Sequence, residues 1–145
     1  MINNKILIIV LLIIAANFTA CVNITMDNPQ PFEDRTWVLE KYGKQNNLQN
    51  VIADKETTAK FDSTSGKVSG SAGCNSFSTG YQKNGDKLKI SAVISTKMFC
   101  PMPNDIMQQE NQYLGSLQGA ESYTVANGKL EIYCSDTRLL ILHAK

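Results

Sequence analysis

Hydrophobic and polar positions alternate along most of this chain with a period of two, the pattern of strands buried on one face. Trp37 and Leu39, with the stem of Lys41, alternate with polar neighbours across 36–42 and predict an opening strand. Phe61 centres another over 58–62, and a glycine-interrupted strand is expected over 67–72. Tyr81 on one side and Leu88, Ile90 and Ala92 on the other flank Asn84-Gly85. That dipeptide tolerates the positive φ angles of a type I′ turn, so a hairpin is expected there. A second hairpin is expected where Tyr123 and Val125 lead through Asn127-Gly128 to Leu130, Ile132 and Cys134. Residues 139–142 read as a central closing strand, and the Asn/Gln-rich stretch 45–55 reads as loop.

One segment changes period. Ile106, Tyr113, Leu114 and Leu117 fall at i, i+7, i+8 and i+11, one face of a helix over about 104–117, with Glu110 inside the same stripe. Asn104 or Asp105 is placed to cap it after Pro103, and Gly119 to stop it. Strands on both sides of a single helix predict an α+β domain. The expected form is a curved antiparallel sheet of about six to eight short strands packed against that helix.

Ahead of these elements the pattern is different again. Residues 6–16 are unbroken apolar, preceded by Lys5 and followed by the small residues Thr19 and Ala20. The run is shorter than the ~20 residues needed to cross a bilayer and reads as the core of a signal peptide over 1–20. Residues 21–34 are polar with Pro29 and Pro31 and read as a flexible tether, leaving 35–145 as one folded domain. Phe18-Thr19-Ala20-Cys21 resembles the lipobox of bacterial lipoproteins, with Phe18 where Leu is usual. That resemblance implies acylation of Cys21 and a membrane-anchored protein of the cell envelope. Val22, in place of the Asp that favours inner-membrane retention in one bacterial lineage, points to the periplasmic side of an outer membrane.

Charge narrows the partners. The chain has 14 Lys+Arg and 13 Asp+Glu, and removing the leader takes away only Lys5. A balanced chain without a basic stripe is not expected to bind nucleic acid. A monomer is expected, without a cofactor.

The stretch Val68-Ser-Gly-Ser-Ala-Gly-Cys-Asn-Ser-Phe77 resembles the G-x-x-G-C-N-x-[FY] core of the META domain family, which includes the HslJ-like proteins. Thr96-Lys97-Met98-Phe99-Cys100 is similar to that family's T-[RK]-M-x-C signature. Glu110, Leu114 and Leu117 match its helix, and Trp37-Val38-Leu39 its opening W-x-L strand. The resemblance spans 36–142 and implies a compact α+β domain, commonly exported, with a loose link to stress and no enzyme mechanism.

Cys74 and Cys100 belong to the two signatures, and an oxidising compartment makes a disulfide between them the expected state. Two buried free thiols are the alternative. Cys134 is then left over, expected as a buried thiol. Cys74, Cys100, Cys134 and His143 could be weighed as metal ligands, but their spacing contains no C-x-x-C knuckle. With His143 the sole histidine, at the end of the last strand, no nucleophile–base pair is evident and no catalytic residue is expected. Asn75 is expected to pin a tight turn, with a ligand contact as the alternative. Glu110 on an apolar stripe needs a partner, for which Lys97 or backbone amides near the Gly-Cys-Asn turn are candidates. The function expected is a non-enzymatic envelope module binding a protein or envelope component; the alternative is a small-ligand module using the concave face of the sheet.

Overall fold

The computed structural model describes residues 31–145. Ten antiparallel strands and one helix follow in order: β1 (Thr36–Lys44), β2 (Asn47–Asn50), β3 (Thr58–Asp62), β4 (Lys67–Ser71), β5 (Ser76–Asn84), β6 (Lys87–Ile90), β7 (Ile94–Ser95), α1 (Ile106–Gln118), β8 (Ala120–Ala126), β9 (Lys129–Cys134) and β10 (Arg138–Ala144). The expected antiparallel sheet and single helix are both present. The sheet is not open, however. β1 pairs with β10, closing the ring β1-β10-β9-β8-β6-β5-β4-β3 into an eight-stranded barrel, with β2 and β7 as side pairings on β1 and β5.

Closure follows from burial. The inward positions of the ring strands are apolar apart from Thr79 of β5, and Trp37, Leu39, Phe61, Val68, Leu88, Leu130, Ile132, Leu140 and Leu142 are each almost fully buried inside it. An open curved sheet would leave one row of this set in water, at roughly 25 cal/mol for each Å² exposed. The concave face expected to hold a ligand is therefore the packed core itself.

Local departures have local causes. A bulge between Leu39 and Lys41 shifts the register of β1, so that Tyr42 rather than the Lys41 stem turns inward. β2 occupies part of the stretch expected as loop: it is a polar edge strand held to Lys41–Lys44 by backbone pairing rather than by buried side chains. The β8–β9 turn has Asn127 and Gly128 both at positive φ, as a type I′ turn requires. At the other hairpin Asn84 pairs with Lys87, so the loop is Gly85-Asp86, with positive φ at Gly85 alone among those two. That sign pattern is type II′, not the I′ expected from Asn84-Gly85. Gly70 marks a close approach of two strands, since a Cβ there would lie 2.1 Å from the Thr58 carbonyl oxygen.

The antiparallel order sorts strand ends into two sets. At one end, where β3 and β5 begin and β4 and β9 finish, α1 lies across the opening; Tyr113 and Leu117 fill it. At the opposite end the segment before β1 does the closing. Phe32 is 2% exposed and packs against the rings of Phe61, Tyr81 and Tyr123 at 4.8, 6.1 and 4.4 Å. The Trp37 indole donates to the Phe32 carbonyl at 2.6 Å, and the Asp34 amide donates to the Phe61 carbonyl at 2.7 Å. Thus the last residues of the expected tether are part of the barrel. The expected leader and Cys21 lie outside the described residues.

Candidate functional site

The helix end of the barrel is organised by polar side chains that α1 buries. Its apolar stripe includes 109 and 110, and both are polar residues at 1% and 4% exposure. Gln109 accepts from the Ile52 amide at 2.7 Å and donates to Thr57 Oγ1 at 3.2 Å. Tyr113 donates its hydroxyl to the Thr58 carbonyl at 3.1 Å. Both carboxylate oxygens of Glu110 accept from Asn75: Oε2 from its backbone amide and Oε1 from Nδ2, each at 2.7 Å.

Asn75 is the centre of this arrangement. Besides its two bonds to Glu110, its Nδ2 donates to the Met98 carbonyl at 3.2 Å. Its Oδ1 accepts from the Met98 amide and from Thr96 Oγ1, both at 2.7 Å. Its own carbonyl accepts from the Ala72 amide at 2.7 Å, closing the turn over Gly73 and Cys74. One side chain therefore ties the start of β5, the loop after β7 and the helix together, with each side-chain donor and acceptor used. Gly73, at φ +111°, lets that turn pass beneath the helix, because a Cβ there would meet Ile106 Cδ1 at 2.8 Å.

The Cys74–Cys100 disulfide fastens the same loop covalently. On β7 and the loop around these fixings apolar side chains turn outward: Ile94 is 75% exposed, Met98 56%, Phe99 80% and Met102 65%. Grooves of about 330 and 480 Å³ flank it, one lined by Phe77, Ile94 and Thr96, the other by Phe99, Asp105 and Met107. Large apolar side chains crowded onto one exposed loop are the usual mark of an interaction surface.

A family model, the META domain, matches residues 30–145. The chain belongs to the META domain family. Among solved structures, the META domain here is similar to an NMR structure of a protein from Burkholderia xenovorans, with TM-score 0.67 and 21% identity, covering 79% of this chain and 83% of that one. It is also similar to a crystal structure of a DUF4847 family protein from Bacteroides vulgatus, with TM-score 0.54 and 18% identity, covering 77% and 93%. At such identities the likeness is one of fold. Comparison with curated proteins finds no match.

Of the residues singled out in the sequence, the META domain brings Cys74, Asn75, Cys100 and Glu110 together. Lys97 is not among them. It is exposed, and the amide and side chain of Asn75 satisfy the Glu110 carboxylate instead. His143 is exposed near the end of β10. Cys134 is a buried free thiol that donates to the Ser116 carbonyl at 3.1 Å; burial pushes its pKa up to about 11. Among the described residues no three His, Cys, Asp or Glu side chains are grouped as a metal site would require.

Two contributors escaped the sequence reading. Gln109 sits inside a run of five polar residues, yet it lies three positions from Ile106 and four from Tyr113, which already places it on the buried face. Arg138 closes the helix C-terminus from β10, donating through Nη2 to the Gly115 carbonyl and through Nη1 to Ser116 Oγ, both at 3.1 Å. A cation there complements the helix dipole, and no residue of the last turn supplies one.

Proposed function

We propose that this META domain is a non-enzymatic module of the bacterial cell envelope, lipid-anchored through Cys21 at the periplasmic side of an outer membrane, that docks a protein partner with the loop 94–102. The observation that carries this reading is the exposed set Ile94, Met98, Phe99 and Met102 on a loop fastened by Asn75 and a disulfide. A loop held in one conformation before binding loses little entropy on docking, which favours recognition through a few apolar anchors. The chemistry of the cysteines supports binding over catalysis: Cys74 and Cys100 are joined to each other, and the raised Cys134 pKa keeps that buried thiol protonated.

The direction of the tether supports a protein over the anchoring bilayer as the occupant. The chain enters the domain at Phe32, at the end of the barrel opposite the loop, so a domain held through its N-terminal side presents the loop away from the membrane. A role under envelope stress belongs to the same reading, on the strength of the family resemblance alone.

The test places a photo-crosslinking residue at Phe99 in the full-length lipoprotein in native envelopes, with Thr64 at the tether end as the control position. A protein adduct of discrete mass at 99 and not at 64 is expected, abolished by Ile94→Ser with Met98→Ser. Lipid adducts at 99, equal labelling at both positions, or adducts indifferent to the loop substitutions would overturn the reading.

A further inference from the structure

The docking loop is held in two parts by two different means. Up to Met98 it is pinned by Asn75, which accepts from the Thr96 hydroxyl and the Met98 amide and donates to the Met98 carbonyl. The Thr96 amide adds a bond to the Ser76 carbonyl, and Ile94 is paired with Ser78 of β5. From Pro103 onward the chain is committed to the helix, the Ile106 amide donating to the Pro103 carbonyl. Among the described residues, 99–102 make no hydrogen bond at all, so the disulfide at Cys100 is what fastens Phe99 and Met102.

That disulfide is placed to open without disturbing its surroundings. Cys74 is 8% exposed within the turn, whereas Cys100 is half-buried on the loop. Exchange with an external thiol depends on access, which favours attack at Cys100 and makes Cys74 the leaving group. The Cys74 sulfur lies 3.7 Å from the Met98 carbonyl oxygen, so a thiol formed there has its acceptor in place and no buried donor is stranded. The turn around Cys74 keeps its own bonds, from the Ala72 amide to the Asn75 carbonyl and from the Asn75 amide to Glu110.

We propose that the Cys74–Cys100 bond is a redox switch on the docking loop, closed in the oxidised domain and opened by an external dithiol. It rests on the docking reading given above, whose site it regulates. A thiolate of the dithiol attacks Cys100 Sγ, the S–S bond breaks, and Cys74 leaves as a thiolate that takes a proton from solvent. The second thiolate of the dithiol attacks the mixed disulfide and releases Cys100, which is protonated in turn. Two electrons pass to the domain, and the reductant is left as a disulfide. Reduction frees Phe99 and Met102 while Ile94 and Met98 stay where β5 and Asn75 hold them. The loop then loses the preorganisation of two of its four apolar anchors and docks more weakly.

The test compares the oxidised domain with the same domain treated with dithiothreitol, without denaturant. Reduction should go to completion while the domain stays folded, with Cys134 still resisting alkylation. Order parameters from NMR relaxation of the backbone amides are then read residue by residue. Those of Phe99, Cys100 and Met102 should fall from about 0.85 to below about 0.6, while Thr96, Lys97 and Met98 stay near 0.85. Combining Cys74→Ser with Cys100→Ser should reproduce the reduced profile. In native envelopes the discrete adduct at position 99 of the lipoprotein should be lost in that double variant. A disulfide that yields only on unfolding, a loop equally ordered in both states, loosening that spreads to Thr96–Met98, or an adduct undiminished in the double variant would each overturn the switch. Absence of the adduct in the parent would overturn the docking reading and the regulation with it, while relaxation as expected would leave the redox opening of the loop standing.

Discussion

The two ends of this barrel are closed by opposite means. At the tether end a single aromatic side chain, Phe32, drops into a nest of three other rings; apart from the buried bond of the Trp37 indole to the Phe32 carbonyl, the side-chain polar contacts lie around it, with Tyr81 and Lys83 both donating to Glu33. At the helix end the closure is polar and buried: Glu110 and Asn75 satisfy each other, Gln109 is satisfied by the Ile52 amide and Thr57 Oγ1, and a disulfide backs them. Apolar plugging is tolerant of small shifts, whereas a buried hydrogen-bonded knot is directional and costly to leave incomplete. The end that fixes a loop in one geometry is the end built from directional bonds. The end that merely needs closing is sealed with surface area.

Three measurements can break or sharpen that contrast. The largest effect is expected from Phe32→Ala, which removes a ring at 2% exposure and leaves a cavity among aromatics. A loss of about 3–5 kcal/mol is typical for such a site, lowering the thermal midpoint on the order of 10–20 °C. A midpoint within a few degrees of the parent would mean that the segment before β1 does not close the barrel.

Next comes Glu110→Ala, which strands two buried donors of Asn75 and should cost about 2–4 kcal/mol. Glu110→Gln keeps one accepting oxygen but turns an amide NH2 toward a donor, so roughly half that loss is expected. The knot differs from the plug in one further way: in both Glu110 variants the loop should loosen, seen as faster proteolysis near Phe99, while Phe32→Ala should leave that cleavage unchanged in the folded state. Variants that melt like the parent would move Glu110 from the structural knot to some other role.

The smallest effect concerns pH. Burial raises the Cys134 pKa from 9.0 to about 11 in the folded chain, against the pull of Arg138. The unfolded chain therefore sheds this proton first, so the stability involved is complete below pH 9 and is lost as the pH rises toward 11. At the tether end Tyr81 is raised above 10.0, by burial first and then by its bond to Glu33, and its contribution fades only at higher pH. Denaturation midpoints at intervals from pH 8 to 11 should fall first through the helix end, and Cys134→Ala should flatten the early part of that fall. An unchanged profile in that variant would show that the thiol is not shielded as its burial implies.

How much of this was legible depends on the range of the interactions. The strands over 58–62 and 67–72 (one residue too long at its end), the places of both hairpins and the helix were readable, because alternation, Asn-Gly dipeptides and the 106/113/117 spacing are local signals; the type of the first turn was not. The partnership of Glu110 with the Gly-Cys-Asn turn was readable to the extent that a carboxylate on an apolar stripe must find donors. Choosing between Lys97 and Asn75 was not, since both lie near the same loop and only the fold shows which faces inward. Barrel closure was hidden because it joins β1 to β10, about a hundred residues apart, and no local pattern encodes a partner at that distance. Phe32 was masked by its polar, proline-bearing neighbours, and β2 by an Asn/Gln composition that strands usually avoid.

The β1–β10 pairing has a consequence in time. The first strand of the domain to be synthesised finds its partner in the last, through Trp37–Ala144 at one end of the ladder and Lys44–Arg138 at the other. Until residues 138–144 are present, Trp37, Leu39 and Tyr42 have no wall on that side, and the ring is an open ribbon. Such end-to-end topology raises the mean sequence separation of contacts and slows folding. The ring therefore stays open until residues 138–144 have been made, a delay that would suit the export proposed above.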